Sequence, residues 1–175
     1  MDHIRKTLLS TVITILFIIP NVTYAKDIVS GFVGAWIGEG VARPNGFGPP
    51  ERIKCKVEGS LSSPTQVGFG GRCATVSGSG EFRLLIAQDE TGQAIAATVI
   101  LSTSSERTAF SGRVEGGIIR LFQKQPVVQG ERVITSVMTL EVSSDDSSIN
   151  MQSVVTDTKM GEDSQSLVIQ FHKEE

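Results

Sequence analysis

FVGAWIGEG, residues Phe32–Gly40, contains the only tryptophan of a chain of 175 residues and opens a long series of short strand-like segments. We interpret this stretch as the first strand of an all-β unit, and we expect Trp36 to anchor its core. Downstream of it Val, Ile, Thr, Ser and Gly dominate, and no convincing amphipathic pattern with a period of 3.6 residues is found. The sequence therefore predicts an all-β fold.

The N-terminus, residues 1–25, has the pattern of a secretory signal peptide. Arg5 and Lys6 give a positively charged start, and an apolar run follows over Leu8–Ile19. That run has 12 residues, fewer than the roughly 18 that a membrane-spanning helix needs. We therefore expect cleavage after Ala25 rather than a membrane anchor.

The remaining chain, residues 26–175, is predicted to be a single all-β domain. The whole sequence has 16 Lys+Arg and 19 Asp+Glu; without Arg5, Lys6 and Asp2 it keeps 14 and 18, a net charge of −4. A mildly acidic domain is not built to neutralise phosphates, so nucleic acid is not an expected partner. The expected location is periplasmic or secreted, with no stable membrane span after cleavage.

The two cysteines, Cys55 and Cys73, both lie in the part of the chain that we expect to be exported, which predicts one disulfide between them. Alternation agrees, because Ile53, Cys55 and Val57 share one face of a strand, while Phe69 and Cys73 share one face of the next. In the chain-entropy model, a disulfide that closes this loop raises the free energy of unfolding by roughly 3 kcal/mol. The spacing is not the C-x-x-C of redox or metal pairs, so we assign no redox or metal role.

Ten segments alternate as short strands do, and clusters of turn residues separate them. After the opening stretch, strands are predicted over about Glu51–Glu58, Val67–Val76, Glu81–Gln88, Gln93–Ser102, Glu106–Val114, Ile118–Lys124, Arg132–Val142, Ser148–Thr156 and Ser164–Lys173. Arg43–Pro50 and Gly59–Gln66 are predicted loops. Short connections favour an antiparallel up-and-down barrel, which removes exposed edges, with a two-sheet sandwich as the alternative.

Candidate catalytic residues are few. His172 is the only histidine after the signal peptide and lies beside the C-terminus, where a solvated residue is expected, and no nucleophile elbow is found. Asp145 and Asp146 lie in a predicted turn that lacks the oxygen spacing of a known calcium loop. We therefore predict no enzyme activity, no catalytic residue, no cofactor and no metal site.

Five aromatic residues on the predicted strands are expected to point inward: Trp36, Phe82, Phe110, Phe122 and Phe171. In a small barrel such residues fill the interior, whereas in a wider barrel they line a pocket for an apolar ligand. Aromatic residues on strands more often belong to a core, but the sequence leaves both roles open.

The spacing Phe32-x-Gly34-x-Trp36 resembles the opening of the lipocalin and calycin pattern, in which G-x-W begins the first barrel strand and the Trp closes the barrel base. This resemblance implies a calycin-like barrel in which Gly34 and Trp36 are structural rather than ligand-binding. Calycin-like barrels also include periplasmic metalloprotease inhibitors with a G-x-W opening and one disulfide, which act through an N-terminal trunk. The corresponding segment here, Lys26–Val33, is short.

A broader resemblance is to small exported proteins of alphaproteobacteria that have no assigned function. It is carried by Trp36–Gly40, Glu51–Cys55, Arg72–Ala74 and Ser111–Arg120. It implies export and an all-β fold, but no activity.

Two classes of function are compatible with these expectations. The first is a non-enzymatic, exported β-barrel binding module for a small apolar ligand or a protein partner. The alternative is a periplasmic protease inhibitor or a secreted, host-directed effector. An exposed apolar patch on a loop such as Pro44–Pro50 would favour the alternative, whereas a deep inner cavity would favour a ligand carrier.

Overall fold

The computed structural model describes residues 28–102 and 107–174, which are β-strands and connections apart from two short 3-10 turns. We call Ser30–Phe32 the N-terminal turn and Pro44–Gly46 the rim turn. The predicted signal peptide, residues 1–25, lies outside the described residues. Within them, no helix is long and apolar enough to cross a membrane.

The strands are β1 (Gly34–Ala42), β2 (Glu51–Ser63), β3 (Gln66–Thr75), β4 (Gly78–Gln88), β5 (Ala94–Leu101), β6 (Arg107–Glu115), β7 (Ile118–Gln123), β8 (Val127–Gln129), β9 (Arg132–Val142), β10 (Ser148–Asp157) and β11 (Glu162–Lys173).

The strands form one antiparallel sheet that closes into a barrel, because β1 pairs with β2 on one side and with β11 on the other. Strands that are consecutive in sequence are neighbours around the wall, except at β8. In the described part of the chain β8 pairs with β9 alone, on the side that β7 occupies further along. The barrel therefore has ten strand positions. The predicted up-and-down barrel is confirmed, and the sandwich is wrong.

Alternation along each strand separates the core from the surface. In β2, Ile53, Cys55 and Val57 are buried, while Lys54 and Lys56 between them are exposed. A side chain and its successor point to opposite faces of a strand, so this one pattern fixes which face of β2 lines the interior. The same argument orients the other strands, and the buried apolar residues other than Ile134 form one continuous core inside the barrel.

An aromatic cluster fills one half of this core and is centred on Phe69. The rings of Phe32, Trp36, Phe82 and Phe171 each meet the Phe69 ring edge-on, with centroids 5.3–6.4 Å away. Edge-to-face contacts at such distances are favourable beyond the area they bury. Trp36 is fully buried, so its expected role as a core anchor is confirmed.

The N-terminal turn closes the end of the barrel at which β1 begins, and we call this the closed end. Val29 and Phe32 are fully buried there. The indole Nε1 of Trp36 donates a hydrogen bond of 3.0 Å to the carbonyl oxygen of Phe32. The opposite end, where the chain turns from β3 into β4, is called the open end.

The predicted disulfide is confirmed. Cys55 on β2 lies directly opposite Cys73 on β3, and the two are bonded. Cys55 is buried, and Cys73 is half-buried against the same core.

The expectation that Phe122 points inward is wrong. β7 buries Ile119 and Leu121, whereas Phe122 is 46% exposed on the outer surface. Arg120 shares a face of the strand with Phe122. Burying an unpaired guanidinium costs far more than leaving one phenyl ring in water, so the arginine decides which face points outward.

Several predicted boundaries also change. The predicted loop Gly59–Gln66 is wrong, because β2 continues to Ser63 and β3 begins at Gln66. Phe32 belongs to the N-terminal turn rather than to the first strand. β8 was not expected from the sequence.

Candidate ligand-binding site

A cavity of about 290 Å³ occupies the open end of the barrel. Inward-facing residues of β2 to β5 and of β9 to β11 form its wall, and the lining is almost entirely apolar. Large side chains around it include Ile53, Leu84, Met138, Met151 and Ile169.

The cavity exists because the two halves of the barrel are filled differently. Phe82 lines the cavity and also touches Phe69, with ring centroids 6.3 Å apart, so it is the member of the aromatic cluster that borders the cavity. Beyond Phe82, β4 contributes Gly78 and Gly80 to the lining. Glycine brings no side chain to fill the interior, and space remains.

Sulfur atoms give the lining an adaptable surface. Met138 and Met151 face the cavity, and so does Cys73 of the disulfide. Methionine is unbranched, flexible and polarisable, and it is common where a surface must fit apolar groups of different shapes. This lining suits a range of apolar molecules rather than one shape.

Polar groups lie at the rim of the cavity rather than inside it. The Glu51 carboxylate accepts a hydrogen bond of 3.2 Å from the backbone N–H of Ser77 and a second one from the Ser77 hydroxyl. The Ser77 hydroxyl, and after it the Thr75 hydroxyl, hold the pKa of Glu51 below its usual value. Thr75 and Gly78, which flank this bonded group, belong to the cavity lining, so a negative charge lies at the mouth.

At the open end, the rim turn and the residue after it are held by contacts with β9 and β11. The Arg132 guanidinium lies 4.4 Å from the centre of the Phe47 ring, which follows the rim turn directly. Arg132 also pairs with the fully buried Asp157 at 3.8 Å and with Glu162 at 3.6 Å. The Ser164 hydroxyl donates a 2.7 Å hydrogen bond to the carbonyl of Gly46. The rim turn is therefore held against β9 and β11.

Among the five aromatic residues predicted for a pocket or core, Phe82 lines the cavity. Trp36, Phe110 and Phe171 are buried in the core, and Phe122 lies outside the barrel. The aliphatic lining was not singled out from the sequence. Leu84 shows why: it alternates with its neighbours just as a core residue does, and no local signal distinguishes a cavity wall from a filled core.

The groups considered for catalysis or metal binding are spread over the outer surface. His172 is exposed on β11 opposite Ile37 of β1. Asp145 is held within its own turn by the hydroxyls of Ser143 and Ser147, at 2.6 and 2.8 Å. Across residues 28–102 and 107–174, no group of three or more His, Cys, Asp or Glu side chains could hold a metal ion.

Comparison with protein-family models and with curated proteins finds no match to this chain. The site is therefore interpreted from its geometry and chemistry alone.

Proposed function

We propose that this protein is an exported, non-enzymatic binding module that holds a small apolar ligand in the cavity at the open end of the barrel. The observation that carries the proposal is the cavity itself, about 290 Å³ in volume and lined by apolar side chains. Ligand sites in proteins are concave, mostly apolar and roughly 300–1,000 Å³ in volume. The cavity volume is just below the bottom of that range, which favours a small ligand.

The volume sets the size of the ligand. A cavity of about 150 Å³ holds benzene, with its six heavy atoms, so about 290 Å³ holds roughly twelve by proportion. At roughly −0.7 kcal/mol per heavy atom, inside the range for small ligands, such a molecule would bind with a Kd of about 1 µM. A molecule of the size of decan-1-ol is a suitable probe.

Export is supported by two independent features. The first 25 residues have the pattern of a signal peptide, and Cys55 and Cys73 form a disulfide. Disulfides persist in oxidising compartments and are rare in the cytosol. A periplasmic or secreted location follows for the proposed carrier.

The alternative, a protease inhibitor or a host-directed effector, would use an exposed apolar loop. The loop Pro44–Pro50 does not offer one, because its single large apolar side chain, Phe47, is half-buried beneath the Arg132 guanidinium. The inner cavity, by contrast, supports a ligand carrier. Between the two, the geometry favours the carrier.

The substitution Val99→Phe tests the proposal. Val99 is half-buried and lines the cavity, so a phenyl ring there takes up ligand space. We expect decan-1-ol, added to the purified mature protein in isothermal titration calorimetry, to bind the variant at least tenfold more weakly. The melting temperature should stay within a few degrees, because the added ring enters an existing void. Val128→Phe is the matched control, since Val128 is 69% exposed and lies outside the cavity.

Native mass spectrometry of the wild-type protein, purified gently from its exported fraction, complements this test. A retained small mass that Val99→Phe loses and Val128→Phe keeps would place the natural ligand in the cavity. Equal binding of decan-1-ol by all three proteins, or none by the folded wild type, would refute the proposal.

A further inference from the structure

We infer that the ligand of this cavity is an uncharged molecule with an apolar body, and not a carboxylic acid such as a fatty acid. The inference rests on the proposed function and concerns the chemistry of the same site. It follows from the charges that line the cavity and its mouth.

The wall of the cavity contains no cation. Among the described residues that line it, none is Lys, Arg or His. The one ionisable residue among them, Glu81, is exposed and alternates with the inward-facing Phe82 and Leu84, so its side chain lies on the outer face of β4. Burying a carboxylate without a cation or hydrogen-bond donors is costly. An acid head group would therefore have to stay at the mouth.

The mouth of the cavity already carries a negative charge. The Glu51 carboxylate is fixed there by the backbone N–H and the hydroxyl of Ser77. These hydrogen bonds favour its ionised form. A ligand carboxylate placed at the mouth would meet a like charge, whereas a hydroxyl or carbonyl group would not.

One arginine contacts a residue of the lining, but its charge lies outside the cavity. Arg72 donates a hydrogen bond of 2.9 Å from its Nη2 to the hydroxyl of Ser79, which belongs to the lining. Arg72 lies on the outer face of β3, directly opposite Glu81 of β4. Its positive charge therefore faces solvent beside a carboxylate, and it does not extend into the cavity.

The test compares two probes with the same ten-carbon body, decan-1-ol and decanoate, by calorimetry at pH 7.5 and low salt. We expect decanoate to bind the wild-type protein about tenfold more weakly. In Glu51→Gln, decanoate should bind about threefold more tightly, the effect of removing one unit charge several ångströms away in a solvent-exposed setting, while decan-1-ol should not change.

Glu90→Gln is the matched control. It removes the same charge from the turn between β4 and β5, at the closed end, and should leave both affinities unchanged. Trp36 fluorescence verifies that each variant is folded.

The outcomes separate the inference from the proposed function. Decanoate that binds as tightly as decan-1-ol, or more tightly, overturns the inference and leaves the carrier proposal standing. An equal response of both probes to Glu51→Gln also overturns it. If neither probe binds the folded wild type, the carrier proposal fails and the inference fails with it.

Discussion

Gly59 of β2 is the position where a single methyl group should disturb the closed end of the barrel. A Cβ atom on Gly59 would lie far inside van der Waals contact with the carbonyl oxygen of Phe32, below the 3.0 Å limit that real Cβ atoms respect. That oxygen accepts the hydrogen bond from Trp36 Nε1. Since the contact is with backbone, no side-chain rotation relieves it, and Gly59→Ala must displace the N-terminal turn.

The expected cost follows from the interactions that the turn makes. Losing the buried Trp36 hydrogen bond costs about 0.5–1.5 kcal/mol, and partly exposing the fully buried Phe32 side chain costs about 1.5–3 kcal/mol. The free energy of unfolding should therefore fall by roughly 2–4.5 kcal/mol. For a domain of this size, that lowers the melting temperature by roughly 4–18 °C.

Urea unfolding followed by tryptophan fluorescence measures this directly, because Trp36 is the only tryptophan. We expect a lower midpoint and an emission shifted to the red in the native state. Gly68→Ala is the matched control, since a Cβ there meets its nearest atom, in the Leu85 side chain, at an ordinary 3.6 Å. If Gly59→Ala and Gly68→Ala have the same stability and emission, the reasoning about the closed end is wrong.

Two further predictions concern the disulfide and a surface turn. Replacing Cys55 and Cys73 together by Ala removes a cross-link over a sequence separation of 18. The free energy of unfolding should fall by about 3 kcal/mol, and the melting temperature measured by calorimetry by roughly 6–12 °C. An unchanged melting temperature would contradict this. The hydroxyl of Ser143, followed by that of Ser147, lowers the pKa of Asp145 to about 2. The stability that this carboxylate contributes is therefore present above pH about 4 and lost as the pH falls towards 2. An NMR titration should give a midpoint near 2 that rises in Ser143→Ala; an ordinary midpoint in the wild type would contradict it.

The fold was predictable because its signals are local and repeated. Alternation in Ile53-Lys54-Cys55-Lys56-Val57 reveals both the strand and its inner face. The pairing of Cys55 with Cys73 was predicted from that alternation and from the expectation of export. The same alternation gave a wrong prediction for Phe122 in β7, because Ile119 and Phe122 are apolar residues on opposite faces of this strand. The sequence signal that distinguishes the two faces is the charge of Arg120, which lies on the face of Phe122 and marks that face as the outer one.

β8 and the length of β2 were missed for a different reason. No strand was predicted between Lys124 and Arg132, yet Val127–Gln129 form β8, which pairs with β9 on the side that β7 occupies further along. The serines near Ser63 were interpreted as a loop, although they extend a hairpin whose turn is only Pro64-Thr65. In both cases pairing with a neighbouring strand outweighs weak local propensity.

The cavity itself depends on how side-chain volume is distributed around the barrel. Eight strands enclose an interior that side chains can just fill, so ten positions leave surplus space unless large residues occupy every level. Gly38 helps to place the large residues at one end of the barrel. A Cβ atom on Gly38 would collide with the ring of Phe171, so glycine at this position leaves the space in which that ring packs against the aromatic cluster. Once Trp36, Phe69 and Phe171 are packed together, the cavity in the open half is lined by Phe82 and otherwise mainly by aliphatic residues, methionines and glycines. The stretch that begins the first strand thus helps to create the cavity by filling the opposite end of the barrel.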